Sequence, residues 1–321
     1  MSIKHVSKNL KGLIMNNGVV GQLKFFGKTF LKMEDGSMVS YNTKENPNAS
    51  IFVDKETGQT YFDGFEGGLS IKGSKEDNNY VISNSSNVKV NAGDGDDSIT
   101  MVNCDSSLIK GGKGDDQINS YGGFNNALLG GKGNDTISTV EGDCNFIDGG
   151  KGNDTINSHD GVGNFIRGGS GHDSINSLGF GNFLDGNSGD DSVNSYGDYN
   201  AIKGGNGSLF RFGGNDNINS FGSFNAINGG TGNDRIGSSG FGNLIGGGFG
   251  NDKIYSEGIG NSVFGGPGND YIESQGFDNY IDGGFGSDYI QSYGEGNLAF
   301  GGFGFDTVEN QFNNRMYRRF S

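Results

Sequence analysis

An aspartate returns along this chain as Asp97, Asp116, Asp135, Asp154, Asp173, Asp191, Asp216, Asp234, Asp252, Asp270, Asp288 and Asp306. The steps are 19 residues early and 18 late, with a single step of 25 between Asp191 and Asp216. Each Asp closes a phrase close to GGxGxDxI, as in Gly149-Gly150-Lys151-Gly152-Asn153-Asp154. If one period is one coil of chain, like carboxylates stack ~5 Å apart in partly desolvated turns and repel. Such a column needs protons, disorder or bound cations. Carboxylates and the carbonyls of glycine turns are hard oxygen ligands, the set that suits Ca2+. A second acid often precedes the first, as in Asp96-Asp97, Asp115-Asp116 and Asp190-Asp191. Asp and Asn are also ordinary turn residues, but twelve copies in register are more than turn preference supplies.

The elements that must position this column follow from its period. Asp and Ile two residues apart share one strand face. Glycines fill the turns, where the backbone needs positive φ or close approach. A second phrase, near SxGxGNxI, lies halfway between the first ones and places Asn126, Asn145, Asn164, Asn182, Asn200, Asn225, Asn243, Asn261, Asn279 and Asn297, with Ser107 once in their place. Each period therefore holds two turns and two short strands, one flattened coil. The apolar residues Ile99, Ile118, Ile137, Ile156, Ile175, Val193, Ile218, Ile236, Ile254, Ile272, Ile290 and Val308 form one column. Leu128, Ile147, Ile166, Leu184, Ile202, Ile227, Ile245, Val263 and Ile281 form the facing one. The expected fold is all-β: a parallel β-roll, or β-solenoid, of about 18–19 residues per coil with a small N-terminal β cap.

Composition agrees. There are 64 Gly and only 2 Pro, and hydrophobic residues make up 31 % of the chain, too few for a conventional two-layer core. The formal net charge is −15. Six Lys and no acid occupy residues 1–33, and three Arg and no acid occupy 310–321, so the body between them carries −24. An acidic body argues against nucleic acid and for cations. No apolar run is long enough to span a bilayer. The N-terminus has lysines but no apolar core of a cleaved signal peptide. Cys104 and Cys144 sit at different registers, so no disulfide is expected.

GGxGxDxU, with U a large apolar residue, resembles the nonapeptide of the RTX (repeats-in-toxin, hemolysin-type) calcium-binding family, from about residue 79 to 308. The resemblance implies a β-roll with several Ca2+ ions held between successive turns. It also implies export by a type I secretion system, with Ca2+ bound after exit and folding coupled to that binding. The ligand role then falls on the twelve Asp residues and on turn glycines: Gly112, Gly114, Gly131, Gly133, Gly150, Gly152, Gly169, Gly171, Gly230, Gly232, Gly266, Gly268, Gly284 and Gly286. One departure matters. The usual roll has Asp turns on both edges, whereas here the second edge is Asn. A neutral amide lends an oxygen but no charge, so one calcium edge and one metal-free amide-ladder edge are expected.

Three regions follow: a β-rich cap or assembly region at 1–75, the roll at 76–309 with a loop insertion at 208–214, and a basic tail at 310–321. The lysines at the third turn position, Lys113, Lys132 and Lys151, are expected to offset neighbouring Asp charge. Phe249, Phe285 and Phe303 take that position later, and Phe124, Phe180, Phe224, Phe241 and Phe277 decorate the Asn edge. No catalytic constellation is evident. His5, His159 and His172 are isolated, His172 reads as a tolerated variable residue, and the serine column from Ser158 to Ser292 lacks a base. The expected function is that of a secreted, non-enzymatic calcium-binding roll with a matrix or surface role, partnered by Ca2+ and by further copies of itself in filaments. The alternative is an adhesin or surface-glycan binder that uses the exposed aromatics.

Overall fold

A computed structural model describes residues 15–16, 18–205, 213–311 and 315–317. It resolves into two compact units, Met1–Phe146 and Ile147–Ser321. No helix occurs among the described residues.

The first unit begins with antiparallel strands. Val19–Phe25 pairs with Lys28–Met33, which pairs with Met38–Asn42, which pairs with Ser70–Lys72. Ser50–Val53 pairs antiparallel with Thr60–Asp63. Their inner faces meet over an aromatic cluster: Tyr41 lies edge-on to Phe65 at 5.5 Å, and Phe62 lies edge-on to Tyr80 at 6.1 Å. Beyond them the pairing turns parallel and stays so. Asn79–Ser83, Ser98–Val102 and Gln117–Tyr121 stack in one sheet, and Lys89–Asp94, Leu108–Lys113 and Ala127–Lys132 stack in the other.

The second unit is parallel throughout its described residues. Ser174–Phe180, Ser192–Tyr196 and Asn217–Phe221 are consecutive in one sheet, and Phe183–Ser188, Ala201–Gly205 and Ala226–Thr231 in the other. Partners lie one period apart: Ile175 opposite Val193, Leu184 opposite Ile202. Both apolar columns are buried along their described length. Each fully buried Ile contributes roughly 1.5–3 kcal/mol relative to an exposed one, enough for a core two side chains thick. The serine column also points inward, one alternation along from the Ile column: Ser177, Ser195 and Ser220 are buried.

The excursion between Asp191 and Asp216 falls elsewhere than the spacing suggests. Gly213 donates its N–H to Thr231 Oγ1 at 2.8 Å, and a Cβ on Gly214 would strike the Gly189 carbonyl. Those contacts put Gly213 and Gly214 at the third and fourth turn positions. The turn is Gly204-Gly205-Gly213-Gly214-Asn215-Asp216, and the seven extra residues are 206–212 rather than 208–214. Cutting 208–214 leaves GGNG ahead of Asn215-Asp216 and cutting 206–212 leaves GGGG there, so both restore a plausible turn and spacing alone could not choose. Residues 206–212, including the apolar stretch Leu209 to Phe212, lie outside the described residues, as do the N-terminal lysines Lys4, Lys8 and Lys11 and most of the basic tail.

Candidate metal centre

Each coil has two turns, and their side chains make the same first bond. On the Asp edge the backbone N–H of one Asp donates to Oδ1 of the next. In the first unit Asp97 reaches Asp116 at 2.9 Å and Asp116 reaches Asp135 at 2.8 Å, with Asn78 as the opening rung. In the second unit the chain of bonds runs from Asp154 through Asp173, Asp191, Asp216, Asp234, Asp252, Asp270 and Asp288 to Asp306, at 2.8 Å for each link but the last, which is 3.0 Å. On the Asn edge Asn182 N–H donates to Asn200 Oδ1 at 2.8 Å, Asn200 to Asn225 at 2.7 Å and Asn225 to Asn243 at 2.8 Å.

The second atom of each side chain separates the edges. Asn182, Asn200 and Asn225 each donate Nδ2 to a glycine carbonyl and to a serine hydroxyl within 3.0–3.3 Å. These three amides are thereby saturated, with the serine column supplying the second acceptor; at Asn279 and Asn297 a second backbone carbonyl takes that place. On the Asp edge the matching atom is an oxygen. Oδ2 of Asp97, Asp116, Asp173, Asp191, Asp216, Asp234, Asp252, Asp270 and Asp288 is buried without a hydrogen-bond donor. A buried anionic oxygen without a partner is expensive. Burial, reinforced by neighbouring ladder carboxylates, pushes these groups far above the ordinary aspartate range: to about 7 for Asp97 and Asp173, about 8 for Asp191, and about 7 for Asp234 and Asp288. Asp306, at the end of the column, is only half-buried.

The turn glycines stack their backbones closely from coil to coil. All fourteen glycines anticipated as ligands have positive φ. Gly171 is an example: at φ 137° it tolerates no Cβ, which would strike the Gly152 carbonyl. The Gly171 carbonyl in turn occupies the space that a Cβ on Gly189 would need. The first glycine of each pair is needed for a different reason, since a Cβ on Gly168, Gly229 or Gly247 would collide with the carboxylate of its own turn. Among the described residues no three acidic, His or Cys side chains converge on a point. A cation here would have to draw on ladder carboxylates together with turn carbonyls, a donor set of hard oxygens that fits Ca2+.

A second ladder, unforeseen from the sequence, runs beside the first. Asp115 N–H donates to Asp96 Oδ1 at 2.8 Å, Asn215 to Asp190 Oδ1 at 2.7 Å, Asn233 to Asn215 Oδ1 at 2.7 Å and Asn251 to Asn233 Oδ1 at 2.7 Å. Its signal was the Asx directly before most of the ladder Asp residues. His172 belongs to it: Nδ1 accepts the Asp190 N–H at 3.1 Å, standing in for an Asx oxygen, so this residue is a rung and not a free variable. Lys113 offsets neighbouring Asp charge as expected, but at Asp94 and not within the ladder. It pairs with the exposed Asp94 at 2.8 Å and holds that carboxyl below its usual range, while no lysine is among the influences on Asp97 or Asp116. Cys104 and Cys144 are free thiols.

With this geometry in place, the comparison with known families is decisive. The chain matches the RTX calcium-binding nonapeptide repeat over residues 75–100, 120–143, 145–165, 163–184, 237–272 and 264–297. The matched coils are RTX calcium-binding nonapeptide repeats. RTX repeats bind Ca2+, and the ladder of buried carboxylates accords with that. The matched segments skip 185–236, yet Asp191, Asp216 and Asp234 there keep the same 2.8 Å bonds, so the RTX geometry extends through the unmatched stretch. No curated protein and no solved structure matches the chain significantly.

Proposed function

We propose that this is a secreted, non-enzymatic protein whose roll forms as Ca2+ binds along the Asp edge, while the Asn edge stays metal-free. One observation carries the reading. The two edges of each coil make the same backbone-to-side-chain bond, yet on the Asn edge the amides of Asn182, Asn200 and Asn225 each find two acceptors while the Asp edge leaves a buried oxygen without a donor. Ca2+, when bound, supplies the positive charge those oxygens lack. The chain's own residues supply the rest. Asp Oδ1 fixes each coil to the one before it, and the first glycine of each turn leaves room for the carboxylate. Stacked Ile and Ser columns hold the turns at one spacing.

Export fits this coupling, and RTX repeat proteins are in general exported by type I systems. A ladder that is costly to bury without cations favours an unfolded chain where Ca2+ is scarce and a folded one where it is plentiful. A structural or surface role, including self-assembly, suits a chain whose serines and His172 are used to build coils. Far-ultraviolet circular dichroism during a Ca2+ titration tests the reading. A β spectrum should appear with added Ca2+ and vanish with chelator at pH 8. An unchanged β spectrum in chelator at that pH would sink it.

A further inference from the structure

One column of outward-facing residues stops where a cavity begins. In the sheet that carries the inward serines, Asn157, Asn176, Asn194 and Asn219 form an amide ladder on the outer face. Nδ2 of Asn176, Asn194 and Asn219 donates to Oδ1 of the asparagine before it, at 3.1, 2.9 and 3.0 Å. The next residue in register with Asn219 is Gly237, which has no amide to give. Asn219 Oδ1 therefore faces a gap and accepts no hydrogen bond; a Cβ on Gly237 would lie 3.1 Å from it.

The neighbouring column breaks at the same coil. Tyr196 stacks on Phe221 with centroids 5.0 Å apart and planes within 10°. That covers one face of Phe221. Its other face looks toward Ser239, its register partner, which is too short to cover it. The coil beyond brings back large residues, Tyr255 opposite Gly237 and Glu257 opposite Ser239. The missing bulk leaves a depression of about 240 Å3 bounded by Asn219, Phe221, Tyr255 and Glu257. Two coil spacings, roughly 10 Å, separate its walls.

The chemistry of the walls selects a ligand. Glu273 at the rim is engaged by Tyr271 Oη at 3.3 Å and Gln275 Nε2 at 2.8 Å. The Glu257 carboxylate and Asn219 Oδ1 have no donor, so the depression offers acceptors that await hydroxyl protons. Arg235, stacked on Tyr255 at 4.6 Å, and Lys253 balance Glu257 and Glu273 in formal charge, so the site favours neither an anion nor a cation. A free aromatic face suits a flat array of C–H groups. The volume lies below the roughly 300–1,000 Å3 of drug-sized pockets. We propose that this depression binds one residue of a neutral hexopyranose, with its C–H face on Phe221 and its hydroxyls donating to Asn219 Oδ1 and Glu257. The proposal needs the roll folded but is independent of where Ca2+ sits.

Saturation-transfer NMR on the full Ca2+-loaded chain tests it, with the methyl pyranosides of glucose, galactose and mannose as neutral probes. Glucuronic acid and glucosamine serve as charged ones. At least one neutral probe should receive saturation, and its binding should weaken about ten-fold in Phe221→Ala and in Glu257→Gln. Gly237→Asn is the sharper variant. It extends the amide ladder into the gap at a backbone position of ordinary φ, so it should fold with an unchanged circular dichroism spectrum and bind none of the probes. Three outcomes overturn the proposal: no neutral probe binds the parent, a charged probe binds better than the neutral ones, or the folded Gly237→Asn chain binds as the parent does.

Discussion

Asp191 donates its N–H to Asp216 at 2.8 Å across 25 residues of sequence, the same distance at which Asp173 meets Asp191 across 18. On the opposite edge Asn200 reaches Asn225 across the same 25 residues at 2.7 Å. The ladder rungs are set by the coil and not by the length of chain between them.

Removing the excursion should therefore leave the roll intact. A chain lacking residues 206–212 keeps Gly204, Gly205, Gly213 and Gly214 in one turn, and closing a shorter loop costs less entropy. Its Ca2+-dependent folding midpoint, read by circular dichroism, should equal or better that of the parent. A collapse of folding would mean that the excursion is structural.

Acid should substitute in part for Ca2+. The ladder carboxyls, at an ordinary value of 3.8 in the unfolded chain, rise to about 7 in the fold for Asp173, Asp216 and Asp252. Below about 4 both states hold their protons and burial costs no charge. Between about 4 and 7 the unfolded chain has released protons that the folded chain still holds, so metal-free stability falls as pH rises. In chelator, thermal unfolding should thus shift upward from pH 8 to pH 5. A metal-free fold that is most stable at pH 8 would contradict the burial of these carboxylates.

Exchanging the edges one residue at a time should give opposite effects. Asp252→Asn replaces the orphaned oxygen with an amide and retains the Oδ1 bond to Asp234, so the metal-free form gains stability while fewer Ca2+ ions bind. Asn243→Asp removes the Nδ2 bond to the Gly222 carbonyl at 3.0 Å and places a charge there, costing at least ~1–3 kcal/mol without Ca2+. Denaturant melts in chelator would measure both.

Gly171→Ala should be far more damaging than a surface glycine change. Its φ of 137° and the Gly152 carbonyl leave an L side chain no room, a strain on the order of 1–3 kcal/mol before any loss of Ca2+. Gly181→Ala has open space around its Cβ position and so isolates the cost of φ alone.

Much of this could be read in advance because a solenoid repeats its mistakes as well as its rules. The Ile and Asp columns were legible because every coil restates them, and two residues of separation place both on one face. The Asn edge was legible as a ladder for the same reason. The bond that saturates it was not: that Ser177 and Ser195 receive the Asn amides depends on an inward alternation near the turn, which spacing does not orient. The role of His172 was hidden because one ring nitrogen had to be seen as equivalent to an Asx oxygen. The gap at Gly237 was visible in principle, as a glycine where a column of asparagines ends, but only once outward positions are aligned by coil.

A crystal structure of the Ca2+-loaded chain, with ions located by anomalous scattering, puts the central claim to its most direct test. Ions should lie beside the carboxylates from Asp97 to Asp288, one edge only, with none at the turns of Asn182, Asn200 or Asn225. Ions at the Asn turns, or a folded ladder of Asp with no ion beside it at neutral pH, would contradict the account.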